Sequence, residues 1–517
     1  MSDLYRMSLA ALVKGLKNKE YSVTEAVKSC LARIEATEPR LNACISVLGE
    51  QALARAAEMD AQGPPAANAA EAAPLWGVPM GLKDIISLKG CRNTCASRFM
   101  EDFVPFYDAE VTARLKKAGA VFLVKNNLDE FAMGSTTENS CFGRVGNPWD
   151  LGRVSGGSSG GSAASVVAGQ VFASLGTDTG GSIRQPAAMT GCVGLKPTYG
   201  RVSRYGVVAF GSSFDQVGPL ARNVEDCARV FEVIAGPDHK DAASARTDLY
   251  PDNLPEQDCL DKTLEGKGKE PGDVLKGVRI GVPEEFWGAG LDAEVEGCAM
   301  SPLKKLEEHG ATLLPVSLPS QKYALAVYYI MSSAEASTNL ARFDGVRYGR
   351  RARQPKDLLD LYYSSRSQGF GEEVQRRIML GTFALSAGYY DAYYRKAAQI
   401  RRLLRNDFDR ALDLASGGCH VLLAPASPKT AWTAGLYEAD PLTTYKMDLL
   451  TITLNLVGLP GLCLPAGLGK ETKMPVGLQI MGRPFDEAAM LRLGAVIERL
   501  TPDIGLPGAL DGALDER

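Results

Sequence analysis

Leu9, Leu12, Val13 and Leu16 recur at helical spacing near the start of the chain, the pattern of a helix with one buried face. Ser22-Val-Thr-Glu25 reads as a capping box that opens a second helix, with Val27, Leu31 and Ile34 on one side. Further on, short apolar runs alternate with helical stretches. Val121 to Val124 follows a helix-like Ala109 to Ala118, and Val171 to Leu175 follows an Ala/Val-rich helix over Ser162 to Ala168. Later runs are Val278 to Val282, Val421 to Ala424 and Val476 to Ile480. Strands alternating with helices predict an α/β fold with a mixed or mostly parallel sheet.

The periodicity also divides the chain. Residues 1–75 read as an N-terminal helical part, and 321–416 as a mostly helical insertion containing Tyr328-Tyr329. Residues 417–500 return to the sheet, and no repeat of fixed period is visible. Gln62 to Pro74, rich in Pro and Ala, reads as a low-complexity loop, and the polar segment Pro255 to Gly277 as a surface loop. The whole of 1–517 is expected to form one large domain.

Charge changes the picture by exclusion. Lys and Arg number 57 against 61 Asp and Glu, a net charge of −4, which argues against a phosphate-backbone binder driven by basic excess. No run approaches the roughly 20 apolar residues that span a bilayer, and the N-terminus shows no secretory signal. Eleven cysteines are scattered singly without a C-x₂-C pair, so a reducing, cytoplasmic setting is expected, with neither a disulfide framework nor a zinc ribbon. No metal ligand set is expected.

The chemistry concentrates where Gly and Ser do. Ser155 to Ser162 is entirely Gly and Ser. A flexible linker would look similar, but a buried helical stretch follows at once. A phosphate loop is disfavoured because G-x-x-x-x-G-K-[ST] is absent. Gly157-Ser-Ser159-Gly-Gly161 formally matches a nucleophile elbow, which needs a preceding strand and a histidine partner. Asn147 to Arg153 looks like loop, and only His239, His309 and His420 exist.

A second rich segment, Gly176-Thr-Asp178-Thr-Gly-Gly181-Ser182-Ile-Arg184, follows a predicted strand. Its glycines permit a nest of backbone N–H groups that could bind an oxyanion, with Ser182 at the mouth. A serine needs a base, and histidine is scarce. Lys83, flanked by Leu82, Ile85 and Ile86, could serve if burial depresses its pKa.

Together, Gly156-Gly-Ser-Ser-Gly-Gly-Ser-Ala, Gly176-Thr-Asp-Thr-Gly-Gly-Ser-Ile-Arg-Gln-Pro, Gly194-Leu-Lys-Pro-Thr-Tyr-Gly and Asp215-Gln-Val-Gly-Pro219 resemble the amidase signature family over about 140 residues, with Lys83 in the family's lysine segment. The resemblance implies a large mixed, mostly parallel β-sheet covered on both faces by helices, with residues 76–220 as the signature core. It implies a Ser–cisSer–Lys triad: Ser182 as nucleophile, Ser158 as bridging serine after a cis peptide, and Lys83 as base. The amides of Thr179, Gly180, Gly181 and Ser182 would form the oxyanion hole, with Asp178 and Arg184 bracing the loop.

Within the family, Ser333 to Gly349 and Arg376 to Asp391 are most similar to members that serve tRNA-dependent amidotransferases. That likeness implies glutamine as substrate, with Arg377 (or its neighbour Arg376) on the α-carboxylate, Asp448 on the α-ammonium and Tyr328 lining the pocket. It also implies a heterotrimer with the amidotransferase B and C subunits, and misacylated tRNA held mainly by the B subunit. ATP and Mg²⁺ would be used through that partner, with no cofactor in this chain. Competing readings are a stand-alone amidase acting on small acyl amides, an esterase using Ser159 and a histidine, and a non-enzymatic scaffold.

Overall fold

The Ser22–Glu25 box forms: Ser22 Oγ accepts the Glu25 amide while the Glu25 carboxylate accepts the Ser22 amide, opening helix Val23–Leu41. Its apolar face buries Val23, Ala26, Val27, Cys30 and Ile34, beside Leu9, Leu12, Val13 and Leu16 of helix Leu9–Lys17. Each Val, Leu or Ile side chain among them, once buried, contributes about 1.5–3 kcal/mol. The computed structural model describes residues 3–65, 73–246, 258–288, 290–436 and 440–513.

The strands are β1 (Cys44–Val47), β2 (Pro79–Lys83), β3 (Val121–Asn126), β4 (Gly146–Asn147), β5 (Asp150–Val154), β6 (Ala173–Asp178), β7 (Val193–Lys196), β8 (Gln216–Ala221), β9 (Arg279–Pro283), β10 (Thr312–Val316), β11 (Val421–Pro425), β12 (Gly461–Leu468) and β13 (Pro475–Met481). Eleven of them form one sheet in the order β1-β3-β2-β6-β8-β7-β12-β13-β11-β9-β10. The sheet is mixed. Parallel pairing occupies two groups, β3–β2–β6 and β11–β9–β10. The strands between them, and edge strand β1, pair antiparallel. The parallel share is thus smaller than the sequence suggested. Parallel neighbours need a crossover such as helix Glu110–Lys117 between β2 and β3, whereas β12 and β13 are joined by a short turn at Gly469–Lys473.

Helices cover both faces. Gly461 and Gly477 open space for helix Arg184–Thr190, since a Cβ on either would meet Arg184 or Ala188. Leu462, on the alternate face, packs at Gly494 of helix Glu487–Leu500. The helices of 321–416 join the sheet through Val327, Met331, Leu404 and Phe408, which share an apolar cluster with Leu422, Ala424 and Met481.

Two loop readings fail. The segment Pro255 to Gly277 holds helices Cys259–Gly268 and Pro271–Leu275; its residues 255–257 lie outside the described residues. Charged residues dominate its outer face, but Cys259, Thr263 and Gly266 turn inward. A Cβ on Gly266 would lie 2.3 Å from the Arg492 carbonyl oxygen, so the glycine permits close docking on helix Glu487–Leu500. Asn147 to Arg153 forms the hairpin β4–β5, in which the Asn147 side chain donates to the Val154 and Met189 carbonyls. Gln62 ends helix Gly49–Gln62, and residues 66–72 of the Gln62 to Pro74 segment lie outside the described residues.

Candidate active site

Lys83 is the last residue of β2, and every residue of that strand is buried. Strand β6 runs parallel beside it and delivers Thr177 and Asp178, while the Gly/Ser loop enters helix Gly160–Val167 next to both. Lys83 Nζ lies 2.7 Å from Ser158 Oγ, 2.9 Å from Ser159 Oγ and 2.8 Å from Thr177 Oγ1. No carboxylate pairs with it among the described residues. Burial lowers its pKa to about 7, although Asp129, Asp178 and Asp215 at longer range pull it upward. The neutral amine is therefore well populated near pH 7.

The Gly157–Ser158 peptide is cis. Gly157 has no room for a side chain: a Cβ there would meet Asp129 Oδ2 at 2.2 Å and the Thr136 amide at 2.6 Å. Lys83 and Ser158 are wholly buried, whereas Ser182 keeps 7% of its surface exposed. The Ser182 hydroxyl makes no hydrogen bond among the described residues, and its carbonyl accepts the Ser159 amide at 3.1 Å. The trio thus has a sealed base end and a nucleophile end that keeps only a little exposed surface.

The loop carrying Ser182 is built around Asp178. Its carboxylate accepts the amides of Gly181, Ile183 and Arg184 and the side chains of Arg184 and Asn455. Burial opposes its charge, but the Arg184 guanidinium, with Lys196 and Asn455, more than offsets this and holds it at about 2. Arg184 in turn donates to Gln479, Asn455 and the Thr451 carbonyl. This corrects one expectation. The Gly181 amide is committed to Asp178 Oδ1 at 2.8 Å and does not point into a free nest. The amides of Thr179, Gly180 and Ser182 have no acceptor among the described residues. Gly181, at φ +126°, lies against Thr451, and Gly180 against the Tyr328 hydroxyl. Thr179 Oγ1 donates to Asp215, fixing the loop's other edge.

A cavity of about 570 Å³ is walled by Ser135, Thr136, Glu138, Glu373, Arg376, Arg377, Tyr445 and neighbours; no residue of the Ser182 loop lines it, and it meets the site through Ser135 and Thr136, which lie against Gly157. Arg377 is 2% exposed, between the rings of Tyr329, Tyr445 and Phe210. Its Nε donates to Glu373 Oε1 at 2.7 Å, leaving its terminal nitrogens without a partner among the described residues. Burial opposes the charge, but Glu373 and the tyrosines keep Arg377 firmly protonated. Arg376 is more exposed and also pairs with Glu373.

Asp448 stands just behind the cavity wall. It accepts from Ser135 Oγ (2.7 Å), Tyr329 OH (2.8 Å) and Gln185 Nε2 (3.0 Å), and burial raises its pKa to about 6. Tyr328 is not a wall of this cavity; its hydroxyl lies against Gly180 of the loop that carries Ser182. It packs edge-on against Tyr329 and Phe214, and the ring facing the cavity is Tyr445, stacked on Tyr329.

Sequence reading missed Ser159 and Thr177 as partners of Lys83, and Ser135, Tyr329 and Gln185 as partners of Asp448. Gln185 was the most accessible of these, sitting one residue past Arg184. The histidine elbow does not form: His309 and His420 bond to Lys305 and Arg279, and the His239 side chain is 90% exposed.

This chain belongs to the amidase family, whose profile matches residues 25–491. Among its relatives, the A subunit of glutamyl-tRNA(Gln) amidotransferase from Oleidesulfovibrio alaskensis is 56% identical over 96% of this chain and 98% of that one. The protein of the same name from Nitratidesulfovibrio vulgaris is 54% identical over 99% and 100%. The crystal structure of the glutamyl-tRNA(Gln) amidotransferase A subunit from Thermotoga maritima is 39% identical, with a TM-score of 0.77 over 98% of each chain. The peptide amidase of Stenotrophomonas maltophilia is also similar, 28% identical with a TM-score of 0.79 over 98% of this chain and 99% of that one.

Proposed function

We propose that this chain is the glutaminase subunit of a tRNA-dependent amidotransferase that works in the cytoplasm in protein biosynthesis. The observation that carries the reading is the wholly buried Lys83 bound to Ser158, the slightly exposed Ser182 whose carbonyl holds the Ser159 amide, and a cavity lined by Arg377 that meets Gly157 through Ser135 and Thr136. Ser182 Oγ attacks the side-chain amide carbon of glutamine. Its proton passes to Ser158, whose own proton passes to Lys83 Nζ. The amides of Thr179, Gly180 and Ser182 hold the oxyanion. Collapse breaks the C–N bond, and the departing nitrogen takes the proton back through Ser158 and leaves as ammonia. Water then hydrolyses the Ser182 ester to glutamate.

The free terminal nitrogens of Arg377 suit a bidentate carboxylate, and Asp448 with Ser135 suits an ammonium. That pair is what a free amino acid requires and a simple acyl amide does not. The B subunit uses the ammonia with ATP and Mg²⁺ to convert Glu-tRNA(Gln), Asp-tRNA(Asn) or both, and the C subunit completes the heterotrimer. The test is ammonia release from glutamine by the chain alone and with its partners, each beside Ser182→Ala. Activity that rises with partners, charged tRNA and ATP, and disappears in Ser182→Ala, supports the reading. Turnover of simple acyl amides without any glutamine turnover replaces it with a stand-alone amidase.

A further inference from the structure

The three hydroxyls around Lys83 are not equivalent. Ser159 Oγ donates to the Thr177 carbonyl at 3.0 Å and accepts the Thr177 amide at 3.2 Å. A hydroxyl has one hydrogen and two acceptor positions. With its hydrogen on the carbonyl, Ser159 can only accept from Lys83, across 2.9 Å. Thr177 Oγ1 is ambivalent, because Lys83 is its only hydrogen-bond partner among the described residues. Ser158 must be able to give its hydrogen to Lys83 if Lys83 is the base. A neutral amine offers two N–H bonds and one lone pair to these three oxygens.

We infer that Ser159, supported by Thr177, is a positioning residue that orients the Lys83 amine: it claims one N–H, Thr177 takes the other, and the lone pair faces Ser158. The inference rests on the base role proposed for Lys83. Without a fixed acceptor the amine can rotate about Cε–Nζ and turn an N–H toward Ser158, which blocks the transfer. Once protonated, the ammonium has three N–H bonds for the same three oxygens, so the proton arrives without any side chain moving. All four side chains are at most 3% exposed, so water is a poor substitute for a missing oxygen. The Ser159 amide also holds the Ser182 carbonyl, tying the base's orienting group to the nucleophile's backbone.

The test uses the assembled enzyme with its partner subunits and glutamine as substrate. Ser159→Ala should lower kcat about 10- to 100-fold, in the range of a misplaced proton acceptor, with KM changed less than about twofold. Its acid limb in kcat/KM should move to lower pH by about half a unit or more, because a lost acceptor disfavours the charged amine. Thr177→Val should shift the limb the same way by less, and Thr177→Ser should restore it. A kcat within about threefold of the parent would overturn the inference, as would a loss of rate with an unmoved limb, which a packing defect would give. If Ser159→Ala does not fold, the Thr177→Val and Thr177→Ser pair decides by the same limb. Full glutaminase activity in Lys83→Ala would instead remove the base reading itself. Inactive Lys83→Ala beside unaffected Ser159→Ala removes only the orienting role.

Discussion

Two lysines end up wholly buried on adjacent parallel strands, and they do opposite things. Lys125 on β3 lies 2.7 Å from the Asp84 carboxylate and also donates to Asn93 and the Arg92 carbonyl. Asp84 in turn accepts the Thr94 amide and hydroxyl. That region is a buried ion pair whose Asp84 Oδ2 takes two further donors, a strut between strand and loop. Lys83, one residue before Asp84 in sequence, faces only hydroxyls, and burial brings it to about 7. Burial alone therefore does not make a lysine a base. What decides is whether a carboxylate or a set of neutral oxygens meets the amine.

The largest effect should come from deleting the reactive lysine. Lys83→Ala, like Ser182→Ala, should lower glutamine hydrolysis by about 10³-fold or more while thermal unfolding stays cooperative; residual activity near that of the parent would end the comparison. Breaking the other pair should act on stability. Asp84→Asn leaves Lys125 charged and unpaired in the interior, an expected loss of about 3–5 kcal/mol in denaturant unfolding. Unchanged stability would show that Lys125 is not a strut.

A carboxylate introduced beside Lys83 should convert one environment toward the other. In Thr177→Asp the acid limb of kcat/KM should rise by about a unit, with roughly tenfold less activity at pH 7 and recovery at higher pH. The parent enzyme's own profile is the gentlest test. Lys83 must be neutral, so kcat/KM should climb as pH rises through about 7. Asp448 must be ionised, so a second factor of loss should appear below about 6, absent in Asp448→Asn. A profile flat from pH 5 to 8 would contradict both assignments, the window following from about 6 and about 7.

Much of this was legible in the chain itself. Five apolar runs lie on β3, β6, β9, β11 and β13, with boundaries displaced by up to three residues in β6. Gly156 to Gly161 and Gly176 to Ser182 marked where backbone comes too close for side chains, and the structure puts Asp129, Thr136, Tyr328 and Thr451 in those places. The helices at 259–275 were hidden because few of their residues turn inward, too few to register against their charge. The Gly181 amide was misassigned because composition marks a nest without saying which donor Asp178 will take. Tyr329, Ser135 and Gln185 converge on Asp448 from 119, 313 and 263 residues away, a relation no local pattern encodes.

Residue type and spacing were enough to specify the kinds of chemistry available: a lysine among apolar residues, two Gly/Ser loops one helix and one strand apart, and too little histidine for an imidazole mechanism. Spacing has this power because it fixes what neighbouring turns and strands can present. Protonation and direction came from the folded chain alone. Lys83 and Lys125 are the same residue type in similarly apolar strands, and their difference arises from which oxygens the fold brings within 3 Å of each amine. Desolvation and partner identity are set by contacts distant in sequence, and they turn one lysine into a strut and the other into a candidate base.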